Sequence, residues 1–304
     1  MKSFGEKERI CELEFEKNGP FWHLFTDGTK MENVFCTKED MKVGMMALAI
    51  TAMLFSKVQI ITFELMVNHI HLILSGKRDD CLEFYNLFRR RLMRVFQSID
   101  RHVDWTGFQA DILPIDNLRS LRNEIIYANR NAFVVNPDYT PFSYPWGGGW
   151  AYFSPVVHQL ETKAIKDLGV NVSRRLTRCR EVEKLGGLKM MGDIPFIPSF
   201  CRIDIGESMF HDARSYFNSL TRNAEAFSQI AMRLKDAIFL TDEEMYRVAV
   251  RYSEEEFHSK QLAILSPENK IQLAREMHFK YNASNTQLKR ILKIDLKVLE
   301  ELFP

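Results

Sequence analysis

The segment VQIITFELMVNHIHLILSG, residues 58–76, decides the fold of this chain. It is rich in apolar and β-branched residues on both sides of Asn68, which is typical of two buried strands joined by a tight turn. Side chains two apart on a strand point to the same face, so His69 and His71 share one face while Ile70 points to the other. The segment therefore predicts a central hairpin that carries two imidazoles side by side.

On either side of this hairpin the sequence alternates between strand and helix patterns. Residues 20–26 and 108–115 are predicted as strands, and residues 37–56 and 79–101 as helices with a buried apolar face. A further helix begins near Asp116. The order β-α-β-β-α-β plus one helix predicts an α+β fold with a ferredoxin-like split βαβ layer, an antiparallel sheet with helices.

The stretch NPDYTPFSYPWGGGWAYFSP, residues 136–155, is dense in Pro, Gly and aromatic residues. Such a segment is typical of irregular structure at a domain edge. We predict three parts from this division: an α+β domain at 1–155, a helical domain of unassigned role at 156–260, and a helix-turn-helix-like segment at 261–304.

The third part carries three helix-start signals, at Ser266-Pro267, Ser284 and Asp295. They predict three short helices with tight joints, which resemble a DNA-binding helix-turn-helix. The region from about Met209 to Ser259 is also predicted to be helical. We thus expect an all-α region to follow the α+β domain.

Composition limits the class of protein. The 304 residues are 46% hydrophobic and 27% charged, as in globular proteins with a real core. The net charge is only +1, so a nucleic-acid surface requires local clustering of basic residues. The five cysteines lack zinc-site spacing and fit a reducing compartment. With no signal-peptide core and no apolar stretch of membrane-spanning length, we expect a soluble, cytoplasmic protein without a membrane partner.

Two pairs of side chains suggest chemistry. Two co-facial imidazoles, those of His69 and His71, can chelate a divalent metal, although such a pair alone prefers softer ions such as zinc. Tyr127 and Asn131 lie four residues apart and so share one ridge of the helix that begins near Asp116. The ordinary alternatives are incidental surface histidines and an amphipathic tyrosine at the edge of the core.

The segment MVNHIHLIL, residues 66–74, resembles the MPNHVHLLL segment of the HUH (His-hydrophobe-His) single-tyrosine transposases. Among them it is most similar to the REP-associated tyrosine transposases of bacteria. The family's later motifs are matched in order by FRRRLMRVF at 88–96, YANRN at 127–131 and YPWGG at 144–148. The resemblance covers roughly residues 20–152.

Some positions depart from the family's pattern. They are Val67 and Ala132, each in place of a proline, and Gly147-Gly148 in place of paired serines. Asn129 offers a second register for the tyrosine motif, in which Ile125 would occupy the nucleophile position and the enzyme would be inactive. The register with Tyr127 leaves the apolar stripe of its helix intact.

The resemblance implies a metal-dependent endonuclease or strand transferase that acts on single-stranded or hairpin DNA. It implies Tyr127 as the nucleophile that forms a 5′-phosphotyrosine, with His69, His71 and Asn131 holding Mg²⁺ or Mn²⁺. Glu64 is considered as a further ligand but interpreted as a solvated acid at a strand end. Two alternatives stay open: a catalytically inactive, domesticated transposase that regulates by binding DNA, and a metal-binding domain without a nucleic-acid partner.

The predicted DNA contacts are basic side chains that would touch phosphates without reading sequence. They are Arg89, Arg90, Arg91, Arg94, Arg122, Arg130, Lys289 and Arg290. Four aromatic residues could stack on unpaired bases or form a packed cap over the sheet. These are Phe142, Tyr144, Trp146 and Trp150.

Overall fold

A computed structural model gives an α+β protein and describes residues 3–31, 33–135, 139–140, 142–222, 224–234, 236 and 238–303. The chain separates into two compact units, which divide between residues 222 and 223. The predicted boundary at residue 155 thus falls inside the first unit, and the one at residue 260 falls inside the second.

The first unit is built on a four-stranded antiparallel sheet in the order β2-β3-β1-β4. Its strands are β1 Phe21–Thr26, β2 Gln59–Leu65, β3 Ile70–Ser75 and β4 Ala110–Ile115. The helices around it are α1 Phe4–Asn18, α2 Lys38–Leu54, α3 Arg78–Ser98 and α4 Leu118–Val135. The predicted strands and the helices α2 to α4 are confirmed to within a few residues, whereas α1 was not predicted.

The two faces of the sheet differ in character. Helices α2 and α3 pack against each other on one face, where Gly44 of α2 approaches Leu65 of β2. Ile70 pairs with Leu65 and points to this apolar side, so His71, the next residue, points to the other. Helix α4 covers that other face and places Glu124 beside the strand residues.

The outer edge of β2 is covered by two later segments of the chain. Leu65 N–H donates to the carbonyl of Trp146 (2.9 Å), and Arg202 N–H donates to the carbonyl of Ile60 (2.7 Å). The Tyr144 hydroxyl donates to the carbonyl of Leu65. Tyr144 and Trp146 therefore belong to a packed cap at the sheet edge, which also protects an edge strand from pairing with other chains.

The rest of the first unit consists of short elements. A three-stranded sheet contains β5 Lys163–Ala164, β6 Lys189–Met191 and β7 Ile194–Pro195, and the helices are α5 Val170–Thr177, α6 Ile203–Ser208 and α7 Ala213–Arg222. Within the described parts of both units, no helix combines the length and apolar character that crossing a membrane requires.

The second unit is helical. It contains α8 Ala224–Leu234, α9 Asp242–Phe257, α10 Pro267–Tyr281, α11 Asn285–Leu292 and α12 Leu296–Leu302. The predicted starts of its last three helices are confirmed, because Ser266, Ser284 and Asp295 each accept a backbone N–H from the first turn. Asn282 and Lys293 end α10 and α11 in the left-handed conformation, which makes the joints tight.

Candidate functional site

Buried polar side chains cluster on the sheet face that α4 covers. The strands supply His23, Thr62, Glu64 and His71, and α4 supplies Glu124, Asn129 and Asn131, all of them buried. The surface beneath a helix is ordinarily apolar, because a buried polar group is costly unless it finds hydrogen-bond partners. This concentration of polar groups makes the face under α4 the candidate site.

His69 and His71 lie side by side, as the strand pattern predicts. Their ring centroids are 5.0 Å apart and the rings are nearly perpendicular, at 87°. A ring nitrogen of one lies within 4.8 Å of a ring nitrogen of the other. Since nitrogen ligands stand about 2.1 Å from an ion, a small adjustment would let both imidazoles bind the same ion.

The orientation of His69 is set by its neighbour in the NHIH segment. The amide nitrogen of Asn68 donates to the carbonyl of Gly28 (2.8 Å), so the amide oxygen faces His69 Nδ1 at 2.8 Å. Gly28 also packs closely against this ring, because a Cβ there would lie 2.9 Å from His69 Nδ1. Both residues thus hold the ring in place.

His71 is held by His23 and Glu124, which sequence reasoning missed, and by Asn131, which it predicted. Its Nδ1 lies 3.0 Å from His23 Nε2, and His23 Nδ1 lies 2.8 Å from a carboxylate oxygen of Glu124. Its Nε2 lies 3.3 Å from the amide nitrogen of Asn131. A signal for Glu124 was present, since it stands seven residues before Asn131 and so two helical turns along the same ridge.

Tyr127 lies on the same side of the sheet as both imidazoles. Its ring centroid is 5.5 Å from that of His71 and 6.3 Å from that of His23, and the side chain is only 5% exposed. Of the two asparagines, Asn131 faces His71, whereas Asn129 bonds with the Thr62 hydroxyl and the Tyr216 hydroxyl. This geometry favours the register in which Tyr127, not Ile125, accompanies the histidines.

The interpretation of Glu64 as a solvated acid is wrong. It is 2% exposed and stands directly opposite His71 in the pairing of β2 with β3. Burial, and next the negative charge of Glu64, raise the pKa of the Tyr144 phenol well above its ordinary value. A carboxylate therefore lies within the polar face, on the strand next to the histidines.

The predicted DNA contacts are scattered. Arg89 to Arg94 lie on α3, across the sheet from the histidines, and only Arg90 and Arg94 among them are exposed. Arg122 is bound to Glu8, and Arg130 is buried on α4. In the second unit Lys289 is exposed, while Arg290 bonds with Asp242. Within the first unit, the arginines of α3 are therefore not beside the histidine pair.

A second group of metal-ligand types, Glu8, Cys11 and His211, lies elsewhere in the first unit. Hydrogen bonds from Arg122 hold the pKa of Glu8 below its ordinary value, and burial raises the pKa of the Cys11 thiol. A protonated thiol beside a guanidinium is a poor metal ligand. Glu8 instead forms ion pairs with Arg122 and His211, and the pair with Arg122 ties α1 to α4.

No family model, no curated protein and no solved structure matches this chain, so its own residues must carry any functional argument.

Proposed function

We propose that this chain is a metal-dependent single-tyrosine DNA endonuclease or strand transferase that acts on single-stranded or hairpin DNA. The observation that carries the proposal is the meeting of four groups on one sheet face. The rings of His69, His71 and Tyr127 and the amide of Asn131 lie together there. A phosphodiester brought against this face would meet both a nucleophile and a metal-binding group.

The donor set fits a divalent metal ion. His69 and His71 would bind it through nitrogen, and the Asn131 amide oxygen would add the harder ligand that Mg²⁺ or Mn²⁺ requires. The buried carboxylate of Glu64 adds negative charge to the same face. When bound, such an ion would offset the charge that develops on the non-bridging phosphate oxygens.

Tyr127 supplies the covalent step. Its oxygen attacks phosphorus in line and loses its proton, while the bond to the 3′ oxygen breaks and that oxygen gains a proton. The products are a 5′-phosphotyrosine and a free 3′-hydroxyl. Because the phosphodiester energy is kept in the tyrosyl linkage, the strand can be rejoined, which distinguishes a transposase-like enzyme from a simple nuclease.

The fold supports this proposal. The chain order β-α-β-β-α-β, with strand order β4-β1-β3-β2, supports a ferredoxin-like split βαβ layer. The three successive helices α10 to α12, with tight joints, support a helix-turn-helix-like segment. Of the two phosphate contacts predicted within that segment, Lys289 is exposed, whereas Arg290 is bound to Asp242.

One observation favours a second candidate, a domesticated transposase that binds DNA without cleaving it. The side chains of Tyr127, His69 and His71 are all buried, so a phosphodiester reaches them only after the site opens. The exposed arginines Arg90 and Arg94, moreover, lie across the sheet from the site. DNA could be held there electrostatically without meeting the nucleophile.

An adduct assay separates the two candidates. The protein is incubated with labelled hairpin single-stranded DNA and Mn²⁺, and covalent complexes are resolved under denaturing conditions. We expect an adduct that EDTA abolishes and that duplex DNA does not give. A mobility shift without an adduct would support the non-cleaving candidate, and failure to bind DNA at low salt would contradict both.

Gly28→Ala is expected to weaken Mn²⁺ binding roughly tenfold, because the new methyl would displace the His69 ring from its Asn68 partner. Titration calorimetry with Mn²⁺ measures the effect. Gly186→Ala is the matched control, since a Cβ at Gly186 meets only the Glu183 carbonyl at an ordinary 3.7 Å. Equal affinity of the two variants would show that the position of His69 does not govern metal binding.

A further inference from the structure

We infer that Glu124 and His23 are positioning residues that fix the tautomer of His71, so that its Nε2 presents a lone pair to the proposed metal site. The inference rests on the proposed function, because it assigns a purpose to residues behind that site. The chain of contacts runs from Glu124 through His23 to His71, with heavy-atom distances of 2.8 and 3.0 Å.

The Glu124 carboxylate decides which atom donates in each of these hydrogen bonds. An ionised carboxylate can only accept hydrogen bonds, so His23 donates from Nδ1. A neutral imidazole carries one N–H, so His23 Nε2 is then an acceptor. His71 must therefore donate to it from Nδ1, and its single proton is used there. The lone pair of His71 is left on Nε2, the atom that faces Asn131.

The other end of the chain agrees with this assignment. The group of Asn131 closest to His71 Nε2 is the amide nitrogen, which is a donor and so requires an acceptor opposite it. At 3.3 Å this hydrogen bond is long, since ordinary N–H contacts lie near 2.9 to 3.0 Å. A weak contact is readily exchanged for a metal ion, with the Asn131 amide turning its oxygen to the same ion.

His69 reaches the same state by a separate route. The Asn68 amide, oriented by the Gly28 carbonyl, turns its oxygen to His69 Nδ1. An amide oxygen only accepts, so the proton of neutral His69 also lies on Nδ1 and its lone pair on Nε2. Two unrelated sets of partners thus give both imidazoles the tautomer that binds metal through Nε2.

A metal site needs both histidines to carry the proton on Nδ1 and the lone pair on Nε2. A purely structural network does not require this shared tautomer. Metal-bound histidines typically donate their other ring N–H to a carboxylate or carbonyl, which fixes the ring and raises its basicity. Here the carboxylate acts through a second histidine, and all three groups of the chain are almost completely buried. Water is therefore kept from competing for these hydrogen bonds.

The tautomers are measured directly on the metal-free protein. Nitrogen-15 NMR of histidine-labelled protein at neutral pH reports which ring nitrogen carries the proton, and His→Gln variants assign the signals. We expect His23, His69 and His71 all to carry it on Nδ1. A doubly protonated His23, or a proton on His71 Nε2, would overturn the inference whether or not the protein cleaves DNA.

The effect on binding is measured with Glu124→Gln. A glutamine amide can donate as well as accept, so the tautomers of His23 and His71 are no longer fixed. We expect the Nε2-protonated form of His71 to appear in the spectrum and Mn²⁺ affinity to fall by roughly 10- to 100-fold. Glu207→Gln is the control, because Glu207 is a half-buried carboxylate of the same unit that accepts from Phe153 N–H instead.

The outcomes separate this inference from the proposed function. If wild type binds Mn²⁺ and Glu124→Gln binds it equally well with unchanged tautomers, the positioning role is refuted while the metal site stands. If wild type shows the expected tautomers but binds no Mn²⁺, the proposed metal site fails. The hydrogen bonds among Glu124, His23 and His71 then serve only to stabilise the fold.

Discussion

Gly206→Ala should destabilise the first unit by about 3 kcal/mol, at the upper end of what overpacking ordinarily costs. A Cβ at Gly206 would lie 1.9 Å from the Tyr152 hydroxyl oxygen and 2.6 Å from the carbon that bears it. Tyr152 cannot easily yield, because it is fully buried and its hydroxyl donates to the carbonyl of Ile61. Its ring is also stacked on Tyr216, with centroids 5.3 Å apart.

Urea unfolding of wild type and variant measures the loss. Gly5→Ala is the matched control, because a Cβ at Gly5 in helix α1 meets nothing within 4 Å and alanine favours the helix. The strain should also reach the candidate site, since the Tyr216 hydroxyl accepts from Asn129 of α4. If Gly206→Ala leaves the free energy of unfolding unchanged, α6 can move away from Tyr152 without loss of stability. That result would contradict the close packing of Gly206 against Tyr152.

The parts of the fold that local pattern controls could be predicted. The hairpin at 58–76 follows from local pattern, and His69, one residue before β3, lies beside His71 as alternation predicts. The periodicity of α4 indicates a buried apolar stripe, and the structure buries Leu118, Leu121, Ile125 and Ala128 along it. Spacing of two on a strand and of three or four on a helix is decided by backbone geometry, whatever the rest of the chain does.

The support of the site could not be predicted, because it depends on contacts between distant parts of the chain. His23 and Glu124 are 101 residues apart and meet only because β1 lies between β3 and β4 under α4. The burial of Glu64 likewise depends on a segment 83 residues later, which adds Gly147 alongside it at the edge of the sheet. Nothing in the local pattern of β2 distinguishes a covered edge from an exposed one.

Helix α1 was missed for a different reason. It is highly charged, and Cys11 is its only buried residue, so it shows no apolar stripe. The sequence nevertheless contained a signal for the start of the helix, since Ser3 and Glu6 form a reciprocal capping box. Ion pairs of Glu8 with Arg122 and His211 help to attach the helix, and such pairs leave no periodic signal. The ring of Phe15 also packs against Phe21 of β1.

Tyr127→Phe should reduce covalent adduct formation by roughly a thousandfold or more, because it removes the only oxygen that the proposed mechanism allows to attack phosphorus. The phenylalanine keeps the ring that contacts His71 and His23, so metal and DNA binding should be retained. Denaturing gels with labelled hairpin DNA and Mn²⁺ measure the loss, and mass spectrometry of the wild-type adduct should place the phosphate on Tyr127.

Tyr85→Phe provides the control. Tyr85 is an equally buried tyrosine on α3, whose hydroxyl donates to the Phe108 carbonyl across the sheet from the histidines. The Tyr85→Phe variant should cleave DNA as wild type does, although it loses one buried hydrogen bond. An adduct that persists in Tyr127→Phe would refute the nucleophile assignment. If wild type and Tyr127→Phe bind hairpin DNA equally and neither forms an adduct, the buried tyrosine is a core residue, and the protein is the non-cleaving DNA binder.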